Sequence, residues 1–253
     1  MKYLPRLLFA SLALLTLASG AARAVADGPT PYPDPKNESA WPGKGPIRMG
    51  SWMMDNRKAF WPQRQKDQGA VVFVGDSLIG GYRADKAFPQ LKVANRGVGG
   101  EVTRGLLFRL KEDVIDLNPK AVVICAGSND LSCRSNPDLA VGNLAMAIDQ
   151  LRAFNSKLPI VLCLVTPRDV QDAPIAAGSL QQLNNGIKQL AVGKQNLLVV
   201  DVYTPLATPE GKPIPEFFAK DKIHPLPAGY EKWTALLAPA LEKLGVTFKT
   251  LTK

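Results

Sequence analysis

The chain contains a single histidine, His224, and it follows Asp221 by three residues in Asp221-Lys222-Ile223-His224-Pro225. A carboxylate at that spacing can share a loop with the imidazole and accept a hydrogen bond from one ring nitrogen, leaving the other to take a proton. If a histidine base exists, it must be this one. A nucleophile for it is offered by Gly75-Asp76-Ser77-Leu78, which follows the apolar run Val71-Val72-Phe73-Val74. That run reads as a strand buried on both faces, which puts Ser77 just past its carboxyl end, the rim where open α/β sheets bind ligands. The Ser77 N–H then belongs to the unpaired donors opening the next helix.

A serine hydroxyl is a weak nucleophile, so attack on a carbonyl needs the base, an orienter for the base and donors for the oxyanion. Two more loops can supply donors. Asn95-Arg96-Gly97-Val98-Gly99-Gly100-Glu101 can bring a main-chain N–H close to a ligand, and Gly127-Ser128-Asn129-Asp130 can offer the Asn129 side-chain amide. Each stretch also has a plainer reading: an N-cap or turn at Asp76-Ser77, a glycine turn, an Asx-turn or N-cap at Asn129-Asp130, and a neutral surface or core histidine. Gly97-Val98-Gly99-Gly100 lacks the spacing of a dinucleotide-binding loop.

The elements that would position these residues alternate. Strand-like runs fall at 71–74, 91–94, 121–126, 160–165 and 197–202, and helical patterns near 102–117, 137–156, 179–192 and 227–244. Helices of that length serve as crossovers, so the pattern predicts a five-stranded parallel sheet covered on both faces, with the three loops gathered at one edge. Residues 52–253 are enough for one such domain. Before it, residues 25–51 form a proline-rich arm, with Pro29, Pro31, Pro33, Pro35, Pro42 and Pro46, expected to wrap the body or space it from what precedes. Trp41, Trp52 and Trp61 in or after the arm either pin it to the core or form an apolar, sugar-stacking rim.

Residues 1–24 have the layout of a secretory signal peptide: Lys2 and Arg6, an apolar run from Leu7 to Ala18, then small-x-small sites at Ala22-Arg23-Ala24 and Ala24-Val25-Ala26. The run is short for a membrane span, although an uncleaved anchor is the alternative. The expectation is an exported protein, periplasmic or secreted, with no stable membrane span after cleavage. Loss of that segment removes three cations and no acid and lowers the formal charge from +9 to +6. The cations are scattered, which reads as solubility and weak attraction to anionic surfaces, not nucleic-acid binding. Three cysteines, Cys125, Cys133 and Cys163, allow one disulfide at most and do not form a disulfide scaffold. One histidine and no paired-cysteine spacing give no metal site. Asn37-Glu38-Ser39 fits a glycosylation sequon, relevant only in a eukaryotic secretory route.

Taken together, Gly75-Asp76-Ser77-Leu78, the glycine loop ending at Gly100, Gly127-Ser128-Asn129-Asp130 and Asp221-Lys222-Ile223-His224 resemble, in order, the motifs of the SGNH, or GDSL, hydrolase superfamily. The resemblance covers about residues 52–245. Asn95-Arg96-Gly97-Val98-Gly99-Gly100 with Thr103-Arg104 and Leu110, and Pro167-Arg168, are similar to bacterial relatives of the catalytic subunits of platelet-activating-factor acetylhydrolase. It implies a flavodoxin-like three-layer α/β/α sandwich, Ser77 as nucleophile, His224 as general base and then acid, and Asp221 as its orienter. The oxyanion donors it implies are the Ser77 N–H, the Gly100 N–H and the Asn129 side chain. The sequence departs from that subgroup at Glu101, where an aspartate is usual, and at Asp130, which follows the wider superfamily. The function expected is an ester hydrolase without cofactor or metal, acting on short acyl, above all acetyl, groups of saccharide or small-molecule esters. The competing expectations are a lysophospholipase or thioesterase for longer chains, and a catalytically inactive carbohydrate-binding module.

Overall fold

β1 (Val71–Gly75) is buried at every position and pairs in parallel on both sides, with β2 (Val93–Gly97) and β3 (Ala121–Cys125). In this computed structural model, which describes residues 27–248, the sheet continues through β4 (Ile160–Cys163) and β5 (Leu197–Val200) in the order β2-β1-β3-β4-β5. The leader expected at 1–24, the first two residues of the arm and the last five of the domain lie outside the described residues. The chain leaves β1 toward one edge and returns to β3 on its other side, which makes the carboxyl ends of β1 and β3 a topological switch point, where such sheets bind ligands.

α2 (Ser77–Gly80) and α3 (Ala84–Ala87) link β1 to β2, and α4 (Thr103–Asp113) links β2 to β3. α5 (Ser128–Ser132) and α6 (Pro137–Phe154) lead to β4, α7 (Ser179–Leu190) leads to β5, and α8 (Pro227–Lys243) closes the described chain. α4, α6 and α7 pack as neighbours. α8 packs on the α2–α3 segment, its Tyr230 and Trp233 rings against Tyr82, which also meets Phe73 of β1. Strand side chains alternate between faces, so full burial along β1 and β3 requires these two helical layers.

The second strand departs from the expectation of 91–94. It starts at Val93, and its pairing with β1 runs through Asn95, Arg96 and Gly97, which belong to the sheet and not to the glycine loop. Most of their polar groups find partners: Asn95 donates to the Ile79 and Tyr82 carbonyls and accepts from the Gly97 N–H, and Arg96 pairs with Asp67. The runs expected at 121–126, 160–165 and 197–202 lose their strand pairing after Cys125, Cys163 and Val200. The helix expected at 102–117 ends at Asp113, and a 3₁₀ turn, Ile115–Leu117, follows it.

A helix the periodicity did not indicate, α1 (Ser51–Phe60), straddles the end of the arm. The arm itself is packed along the body. Trp41 is buried, stacked on Tyr32 and tilted against Phe108 of α4. The buried Arg104 donates to the carbonyls of Glu38, Trp41, Pro42 and Gly45, and Asn143 exchanges hydrogen bonds with the backbone of Lys44. Cys125 and Cys163 are buried, Cys133 is exposed, and all three thiols are free. Among the described residues no helix is long and apolar enough to cross a membrane, and no cluster of His, Cys, Asp and Glu is disposed to hold a metal.

Candidate active site

Gly75 ends β1 where a Cβ would overlap the Cys125 carbonyl, so only glycine lets β1 and β3 approach this closely at their carboxyl ends. The backbone then turns through Asp76, which caps α2 by accepting the Leu78 N–H at 2.9 Å, and Ser77 opens the helix. The local N-cap reading and the functional reading thus fall on different residues: Asp76 caps, and the Ser77 hydroxyl is left to other partners.

Its partner comes from 147 residues away. His224 Nε2 lies 2.8 Å from Ser77 Oγ, and His224 Nδ1 lies 2.7 Å from Asp221 Oδ2. The loop carrying both is closed on itself: Ala219 N–H donates to the His224 carbonyl, the Leu226 N–H to the Phe217 carbonyl, and Lys222 sits in the left-handed region at φ +57°. Lys222 is held there by its carbonyl, which accepts the Asp169 N–H, and by its Nζ at 3.3 Å from the Asp169 carboxylate. Burial opposes ionisation of Asp221, but hydrogen bonds from the His224 ring and from the His224 and Ile223 amides, with the charge of His224, outweigh it. Its carboxyl is held below the ordinary value. An ionised carboxylate can only accept, so the imidazole proton belongs on Nδ1 and Nε2 presents its lone pair to the serine hydroxyl.

Neither the Ser77 N–H nor the Gly100 N–H makes a hydrogen bond among the described residues. A Cβ on Gly99 would lie 3.9 Å from Ser77 Cβ, so the glycine loop borders the serine, and Gly100 takes φ +76°, a conformation that favours glycine. Asn129, buried on α5, donates from Nδ2 to the Glu101 carbonyl at 3.1 Å and to Asp76 Oδ2 at 3.3 Å, while its Oδ1 accepts from Arg48. Ser77, Gly80, Gly81, Asn95, Gly97 and Gly99 line a cavity of about 560 Å³ beside the serine.

Three acids lie buried around this edge. Burial, reinforced by Asp130 and Glu101, lifts Asp76 to about 7 against the stabilising Leu78 amide, and burial lifts Asp130 to about 6. Glu101 is also raised by burial, which its contacts with Arg109 and Tyr32 offset only in part. The two departures noted in the sequence have structural partners: Glu101 chelates Arg109 and accepts from Tyr32, and Asp130 caps α4 by accepting the Thr103 N–H and hydroxyl. Arg48 and the burial of Asp76 carried no local signal, because their partners lie far along the chain, and Trp52, singled out as an arm anchor or apolar rim, instead donates its indole N–H to the Gly99 carbonyl. Arg168, noted only by resemblance, donates to the Ser128 carbonyl and to the Ser128 and Ser132 hydroxyls and so ties down α5.

A parallel sheet with serine, histidine and aspartate in hydrogen-bonded series at its carboxyl edge has the layout of a hydrolase. A family model for GDSL-like lipases and acylhydrolases matches residues 73–232, and the chain belongs to that family of ester hydrolases. Platelet-activating factor acetylhydrolase IB subunit alpha1 of Rattus norvegicus is 23% identical over 180 residues, 69% of this chain and 71% of that protein. Among solved structures, a GDSL-like lipase from Bacteroides thetaiotaomicron is 28% identical with a TM-score of 0.65, over 74% of this chain and 97% of that one. An acetyl xylan esterase variant from Geobacillus stearothermophilus shares the fold at 21% identity and a TM-score of 0.56, over 74% and 100% of the two chains.

Proposed function

We propose that this ester hydrolase is exported and removes short acyl groups, acetyl above all, from saccharide or small-molecule esters through an acyl-enzyme on Ser77. The observation that carries the reading is the series Ser77 Oγ, His224 Nε2, His224 Nδ1, Asp221 Oδ2 at 2.8 and 2.7 Å. Ser77 Oγ attacks the ester carbonyl carbon while its proton passes to His224 Nε2, and Asp221 stabilises the imidazolium that forms. The Ser77 and Gly100 N–H groups and the Asn129 amide receive the oxyanion. Collapse breaks the bond to the alcohol oxygen, which leaves with the proton from His224. Water then repeats the sequence on the acyl-serine, returning a carboxylic acid and free Ser77. Both acetylhydrolase and acetyl xylan esterase name acetyl release in similar proteins, which supports the acyl preference. Export rests on the leader-like residues 1–24.

One observation favours longer acyl chains. The cavity beside Ser77 shares Gly81, Tyr82 and Arg83 with a groove of about 650 Å³, lined in part by Ala87, Pro225, Pro227 and Tyr230. A series of acyl esters decides between the two. The short-acyl reading expects kcat/KM to fall at least about tenfold, or 1.4 kcal/mol, from acetyl to octanoyl, with a fluorophosphonate attached to Ser77 and both signals lost in Ser77→Ala. Preference for octanoyl transfers the assignment to a lysophospholipase or thioesterase, and a label on another serine removes the assigned nucleophile.

A further inference from the structure

We propose that Arg48 and Trp52, which precede the family-matched region, are positioning residues of the catalytic site, each setting the direction of one oxyanion donor. The inference rests on the assignment of Gly100 and Asn129 as those donors. Trp52 is 47% exposed, yet its indole N–H is committed to the Gly99 carbonyl at 2.8 Å. That carbonyl and the Gly100 N–H belong to one planar trans peptide and point in opposite directions, so the hydrogen bond on the oxygen fixes where the N–H points. It also polarises the amide, which makes its N–H a stronger donor.

Arg48, exposed and without an ion-pair partner among the described residues, donates from its guanidinium to Asn129 Oδ1 at 3.3 Å. With a cation on the oxygen side and acceptors at Asp76 and Glu101 on the nitrogen side, the Asn129 amide is held with Nδ2 as the donor end. A Cβ on Gly100 would meet Trp52, Arg48 and Met53 at 3.6–3.7 Å, so one wall of residues from the arm and α1 stands behind both donors. Neither side chain makes a hydrogen bond to Ser77 or His224, so each acts through the donor it orients.

Steady-state kinetics on an acetyl ester, with the full chain, tests this. Trp52→Phe, which keeps a ring and deletes the N–H, and Arg48→Met are each expected to lower kcat about tenfold with KM within about twofold, and Arg48→Lys to recover part of the loss. The Arg48 effect is expected to vanish in an Asn129→Ala background, while the Trp52→Phe effect persists there, because it acts through Gly100. An undiminished Arg48→Met effect beside Asn129→Ala, unchanged kcat in both single variants, or a change confined to KM overturns the proposal. An Asn129→Ala variant with wild-type kcat removes Asn129 from the oxyanion hole, a result separate from any failure of Arg48 or Trp52.

Discussion

Asn129 has two amide hydrogens, both already held by Glu101 and Asp76, so the oxyanion proposed to meet this side chain must share one of them. The longer bond, to Asp76, is the one whose acceptor changes charge near neutrality, because burial lifts this carboxyl to about 7. An acid with a folded pKa above its unfolded one binds more protons when folded between the two values. Its contribution to stability is therefore full below about 4 and is lost as pH rises through about 7. Asp130 and Glu101 are shifted in the same direction, so the effect of Asp76 must be isolated by difference. Asp76→Asn keeps an oxygen for the Leu78 N–H and cannot ionise. Its urea midpoint relative to wild type is expected to rise from about pH 4 to about pH 7 and to level off above that, whereas parallel curves would show that Asp76 ionises as readily folded as unfolded.

At the scale of elements, a buried ionic cluster joins the arm to α1, α4 and the serine edge. Arg109 Nη2 donates to Glu101 and to the Arg96 carbonyl, and the same guanidinium reaches Asp113, which Arg57 of α1 also holds. Tyr32 of the arm donates to Glu101 at 2.9 Å. Removing one partner of such a cluster leaves an unpaired charge in the interior, so Arg109→Met is expected to cost about 3–5 kcal/mol in chemical denaturation. A loss below about 1 kcal/mol would show that the acids take up protons or water at little cost. These elements also mark where the sequence stopped being readable. β1, β3, β4, α6, α7 and α8 follow from unbroken apolar runs or helical periodicity. Asp221 and His224 were visible together because one short loop carries both, and Ser77 because it follows a buried strand. β2 was misplaced because Asn95 and Arg96 look like loop residues until Ile79, Tyr82 and Asp67 are there to pair with them. α1 and the arm contacts depend on partners more than fifty residues away, such as Arg57 with Asp113 and Trp41 with Phe108, and no window of sequence holds both members.

Across the whole molecule, the arm is held without a covalent link, since all three cysteines are free. What fixes it is one aromatic anchor and a set of hydrogen bonds. Trp41 closes a three-ring cluster with Tyr32 and Phe108, with its indole N–H on the Asp34 carbonyl, and Arg104 gathers four arm carbonyls beside it. The same stretch of chain leads within seven residues to Arg48 and then to Trp52 behind the glycine loop. On the roles proposed for Arg48 and Trp52, stability and turnover are linked through the arm. Trp41→Ala removes a buried indole and is expected to cost about 3–5 kcal/mol in urea unfolding. If the arm also sets the oxyanion donors, kcat measured well below the unfolding midpoint should fall while the acyl-chain preference stays unchanged, because the cavity beside Ser77 is lined by residues after position 55. A Trp41→Ala enzyme that unfolds more easily but turns over at the wild-type rate would confine the arm to holding the fold together, and would leave Arg48 and Trp52 seated by α1 alone.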